Sequence, residues 1–85
     1  MQFLEEGVFH WPPRLRRLSG REVCTILAQH RFVQVRQRRS HIVMQKRAEN
    51  STTTVPVPDH KELRTGTLRS IIRQSGLPRS LFETD

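Results

Sequence analysis

An α+β fold, ordered helix, three strands, helix, with a three-stranded antiparallel sheet and both helices on one of its faces, is predicted by three observations in this 85-residue chain. A capping-box tetrad precedes an apolar stripe of helical period. Three short runs rich in β-branched residues come next, and a second helical stripe closes the order. Short polar connections between the runs make neighbouring strands antiparallel and leave the helices to cover a single sheet face.

The first helix starts at Ser19-Gly20-Arg21-Glu22. The serine hydroxyl and the glutamate carboxylate each satisfy a free backbone donor of the first turn. Val23, Ile26, Leu27 and His30 then fall at i, i+3, i+4 and i+7, one apolar stripe ending in a histidine. His30 reads as a cation at the helix C-terminus or the edge of the stripe.

Strands are expected over Phe32 to Arg36, His41 to Gln45 and Thr53 to Val57. Their alternation turns Val33 and Val35, Ile42 and Met44, and Val55 and Val57 toward the core. It leaves Gln34, Arg36, His41, Val43 and Thr54 on the opposite face. The polar stretch Lys46 to Ser51, with Asn50-Ser51, reads as the hairpin loop between the second and third strands.

Thr65-Gly66-Thr67 opens the second helix. Leu68, Ile71 and Ile72 form its buried stripe, Arg69 and Arg73 share another face, and Gly76 is placed to cap its C-terminus. Pro78 to Glu83 is expected as a short final turn anchored by Leu81 and Phe82. This element order is that of double-stranded-RNA-binding domains.

At this length the chain makes one small domain without room for a large enclosed cavity, so any chemistry sits on an open surface. Residues 1–13, MQFLEEGVFHWPP, are acidic and aromatic and are closed by Pro12-Pro13. They read as a flexible N-terminal extension that carries His10, with the domain over 14–85. Lys and Arg number 15 against 8 Asp and Glu, a formal charge of +7. That balance points to a polyanionic partner, and the preference for arginine matches phosphate geometry. Cys24 stands alone, which excludes a disulfide framework and suits a reducing compartment. No apolar run reaches the length of a membrane span and no signal peptide opens the chain, so a cytoplasmic location without membrane attachment is expected.

The candidate site centres on His41, which heads a strand directly after Arg36-Gln37-Arg38-Arg39. A proton-transfer group beside clustered guanidinium charge suits chemistry on a phosphodiester, and RNA is the first partner to consider. Lys46 and Arg47 are candidates for contact with a backbone phosphate. There is no carboxylate cluster and no set of His or Cys at metal spacing, so neither a metal nor another cofactor is expected.

Leu27 to Phe82 resembles the HicA family of mRNA interferase toxins. The matching pieces are Arg31-Phe32-Val33-Gln34-Val35-Arg36-Gln37 for the family's GFxxVRQ, Ser40-His41 for its GSH, and Thr54-Val55-Pro56-Val57 for its TVPV. Lys61-Glu62-Leu63 and Gly66-Thr67-Leu68-Arg69-Ser70-Ile71 extend the match. The resemblance implies the same α-β-β-β-α fold, cleavage of mRNA, and a HicB-type antitoxin as partner. It assigns His41 as the catalytic histidine and Ser40 as the serine before it. Arg39 stands where the family has glycine, and His60 lies two residues beyond a position where the family carries histidine, so it is a further candidate for contact with RNA.

On this reading the RNA 2′-hydroxyl is the nucleophile, His41 moves a proton, and Arg36, Arg38 or Arg39 stabilises charge at phosphorus. The alternative is a catalytically silent RNA-binding or antitoxin-binding module of the same fold.

Overall fold

The computed structural model describes residues 14–84. The extension expected over residues 1–13, His10 included, lies outside the described residues. The elements run β1 (Arg14–Leu15), α1 (Gly20–Ala28), β2 (Val33–Arg38), β3 (His41–Ala48), β4 (Ser51–Pro58), α2 (Thr65–Ser75), a 3-10 turn (Arg79–Phe82) and β5 (Glu83–Thr84). The α-β-β-β-α layout of the double-stranded-RNA-binding type is therefore present, with β2, β3 and β4 in one antiparallel sheet and β3 at its centre. A small antiparallel pairing of β1 with β5, not foreseen in the sequence, ties the two ends of the described chain together.

Both helices obey their end signals. Ser19 Oγ accepts from the Glu22 amide at 3.0 Å while Glu22 Oε1 accepts from the Ser19 amide at 2.8 Å, a complete capping box. These bonds satisfy donors that a helix start otherwise leaves open. Gly76 ends α2 with φ 73, the left-handed conformation that glycine adopts without a Cβ clash. His30 Nδ1 sits 3.0 Å from the Ile26 carbonyl oxygen, so this histidine finishes the last turn of α1 and is half-buried there.

One core fills the space between the helices and the inner sheet face. Val23 and Leu27 of α1 and Leu68 and Ile71 of α2 pack with Ile42, Met44, Val55 and Val57, closed by Phe32 and Phe82. Burial on this scale supplies the main stabilising free energy of so small a domain.

The side-chain directions in β2 differ from the expected ones. Gln34 pairs with Met44 and Gln37 with Ile42, so both glutamines share the helix-covered face, and Val33 pairs with Gln45 on the other face. The register shifts between Gln34 and Arg36, leaving Val35 without a partner. This bulge inserts one residue and breaks the period-two pattern, which is why Val33 and Val35 stand 60% and 44% exposed and do not enter the core. Val43 lies on the outer face as expected, between Arg36 and Pro56, and those flanking residues help bury it.

The last strand explains its own VPVP sequence. Val55 and Val57 point into the core, while Pro56 and Pro58 alternate with them on an edge strand. Residues two apart present their backbone nitrogens to the same side, so both missing donors fall on the unpaired edge and no ladder bond to β3 is lost.

Candidate functional site

The three sheet strands bring the predicted residues to one end of the molecule by two tight reversals. Arg38 pairs with His41, so β2 and β3 join through the two-residue turn Arg39-Ser40. His41 in turn pairs with Pro58, the last residue of β4. His41 is exposed on the outer face, with Arg38 beside it in register and Arg36 one row further on.

Arg39 has φ 53. A two-residue hairpin turn needs this left-handed backbone, and an arginine provides it here at a cost in strain. Arg31, after α1, has φ 75 for the analogous reason, because the chain reverses there to send Phe32 N–H back to the Leu27 carbonyl at 3.1 Å. The turn at Arg39-Ser40 is held from below. The Asp59 amide donates to the Ser40 carbonyl at 2.6 Å, and the Gly20 amide donates to the His60 carbonyl at 2.9 Å.

A clamp absent from the sequence-based candidates lies under this turn. Asp59 accepts from Arg21 Nε at 3.2 Å and Nη2 at 3.1 Å, and from Gln37 Nε2 at 3.5 Å. It thereby joins the start of α1, the end of β2 and the exit of β4. Arg21 and Asp59 are 38 residues apart, and no local pattern marks either. Gly20 completes the junction: a Cβ there would overlap the Pro58 carbonyl oxygen, so only glycine lets the helix start this close to β4.

The other candidates separate into two groups. His60, exposed just beyond β4, belongs to the His41 end of the sheet. Lys46 and Arg47 do not: they pair with Thr53 and Thr52 toward the far end of β3, and Arg47 is six residues from His41, roughly 20 Å at the usual strand rise. Lys46 also faces the helix side, with its ammonium 5.4 Å from the Phe32 ring centroid. The sequence thus assembles His41, Ser40, Arg36, Arg38 and Arg39 at one end, and places Lys46 and Arg47 at the other.

Among the described residues no three His, Cys, Asp or Glu side chains gather as a metal-holding group, and no helix is long and apolar enough to cross a membrane. Cys24 lines a groove of about 310 Å³ beside Arg21, Gln34, Ile42 and Met44. Burial pushes its thiol up to about 11, with Asp59 adding to the effect, so it is not a thiolate nucleophile at neutral pH.

What this end of the sheet can do chemically is limited and specific. One exposed imidazole stands beside guanidinium groups on a surface open to a long polyanion, and a backbone clamp fixes the turn that carries it. The family model for the HicA toxin of bacterial toxin-antitoxin systems matches residues 20–77, a span that contains every member of this cluster. Comparison with curated proteins finds no match.

Proposed function

The chain belongs to the HicA family of bacterial toxins, which act in toxin-antitoxin pairs, and from that premise we propose that it is a metal-independent endoribonuclease cutting mRNA with His41 as general acid or base. The observation that carries the reading is the exposure of His41 at the head of β3 with Arg38 as its register partner. In the reaction the RNA 2′-oxygen attacks the adjacent phosphorus and the bond to the 5′-oxygen breaks, leaving a cyclic phosphate and a free 5′-hydroxyl. His41 either accepts the 2′ proton or supplies one to the departing oxygen. Arg36, Arg38 and Arg39 offset the charge that builds on the phosphoryl oxygens, with Ser40 shaping the turn beneath.

Family membership brings a cognate antitoxin as partner. We assign that partner to the HicB type, the ribonuclease domain to residues 14–85, and its action to the cytoplasm. Arg39 in place of the family glycine adopts the positive φ that a glycine would give, so the backbone of the turn supports the reading.

The test is cleavage of a long single-stranded RNA in chelator by the wild-type chain and by His41→Ala, with matched thermal unfolding of the two proteins. Loss of about a hundredfold to ten-thousandfold in rate with unchanged stability is expected. Equal cleavage by both proteins would remove His41 from the mechanism, and no cleavage by a folded wild-type chain would favour the silent binding module.

A further inference from the structure

Building on the ribonuclease reading, we infer that the RNA lies as a single strand across the open face of the three-stranded sheet, from His41 to Arg47, and not along the helices. This is the face that neither α1 nor α2 covers. It is basic at both ends, with Arg36 and Arg38 near His41 and Arg47 at the other end, and the register places no carboxylate between them. On the helix side α1 is partly neutralised, since Arg21 is paired with Asp59 and α1 also carries Glu22. α2 carries Arg69 and Arg73, so the comparison with α2 rests on the apolar patch and not on charge.

The middle of the open face decides between single and double strands. Among the described residues Val33 and Val35 are the exposed large apolar side chains, and Pro56 stands exposed beside Val43. Apolar surface gains nothing from phosphate oxygens but does gain from contact with the faces of unpaired bases. A duplex turns its bases inward and offers a flat surface only phosphates and ribose hydroxyls. Beyond the apolar patch, Gln45 and Thr54, joined by a 3.1 Å hydrogen bond, and then Thr52 provide polar groups on the way to Arg47.

The span of roughly 20 Å accommodates about four nucleotides, the lower end of single-strand platforms. Among the described residues both phenylalanines, Phe32 and Phe82, are buried, so no phenyl ring is available here for strong stacking and the exposed ring on this face is the His41 imidazole. Affinity then rests on phosphate neutralisation, and recognition is tolerant of base sequence.

The experiment uses the His41→Ala chain, so that substrate survives, and measures fluorescence anisotropy of a labelled short single-stranded RNA and of its duplex over a salt series. Arg47→Glu and Val33→Asp, both exposed on the face turned away from the core, are each expected to weaken single-strand binding about tenfold, with Arg47→Glu also lowering the salt slope. Arg69→Glu on the exposed face of α2 is expected to leave it unchanged, and the duplex is expected to bind more weakly than the single strand. Unchanged binding in both open-face variants, loss in Arg69→Glu, or a preference for duplex would overturn the inference. If the wild-type chain cleaves RNA while the open-face variants bind normally, the path is wrong and the ribonuclease reading survives. If the wild-type chain neither cleaves nor binds RNA, both fall together.

Discussion

The Asp59 amide donates a 2.6 Å hydrogen bond to the Ser40 carbonyl, joining the exit of β4 to the turn that precedes His41. Through its carboxylate the same residue grips Arg21 on α1 and Gln37 on β2. The turn that leads into His41 is therefore referenced to a helix start and two strands. The exposed guanidinium makes the ion pair itself worth little in stability, under about 1 kcal/mol, so its main contribution is geometric.

Gly20→Ala tests that junction. The added methyl overlaps the Pro58 carbonyl, which belongs to backbone and cannot rotate away. Destabilisation of about 2–3 kcal/mol is expected in denaturant titration, with cleavage reduced even where the protein remains folded.

Arg31→Gly and Arg39→Gly should each stabilise the fold. Left-handed backbone costs an L-residue about 1–2 kcal/mol, and part of that gain is returned through glycine's greater freedom in the unfolded chain. A net gain of about 0.5–1 kcal/mol per substitution is expected from shifts in the urea midpoint, and a loss at either site would contradict the strain seen at φ 75 and φ 53.

Glu22 predicts an acid limb. Its bond from the Ser19 amide, then that from the Ser19 hydroxyl, holds its carboxyl below the usual range of a glutamate. A lowered folded pKa stabilises the fold above the unfolded value, and that contribution disappears as pH falls through the folded one. Thermal melts between pH 7 and pH 3 should show Glu22→Gln losing less stability on acidification than the wild type.

Cys24 should resist alkylation. With its pKa raised to about 11 by burial, the thiol stays protonated at pH 8. Iodoacetamide labelling of the folded chain is expected to be far slower than that of the urea-unfolded chain. The same raised value means that this group favours the fold below the ordinary thiol range, and that its contribution is lost as pH rises through 11.

Much of the fold was legible because local signals agreed with one another. Ser19 and Glu22 announced α1, Gly76 ended α2, and the β-branched runs located β2, β3 and β4. The bulge at Val35 was not legible: its cause is the pairing of two strands, and an alternating apolar run looks identical with or without it. The β1 and β5 pairing was missed for a related reason, since two-residue strands carry no periodicity. At the site, Ser40-His41 and the arginines before it were visible because the turn is local. Arg21 and Asp59 were not, because only the folded chain brings residues 38 positions apart into contact.

β2 is an edge strand, exposed along its whole length, and its bulge and its arginines lie on that edge. Unpaired strand edges invite other chains to add to them, and bulges and charges are common protections against such self-association. Arg36 and Arg38 thus put charge on the edge that would otherwise be most open to such pairing. On the proposed mechanism, replacing these arginines with apolar residues would remove phosphate contacts and expose an adhesive edge at the same stroke, whereas a substitution at His41 would leave that edge protected.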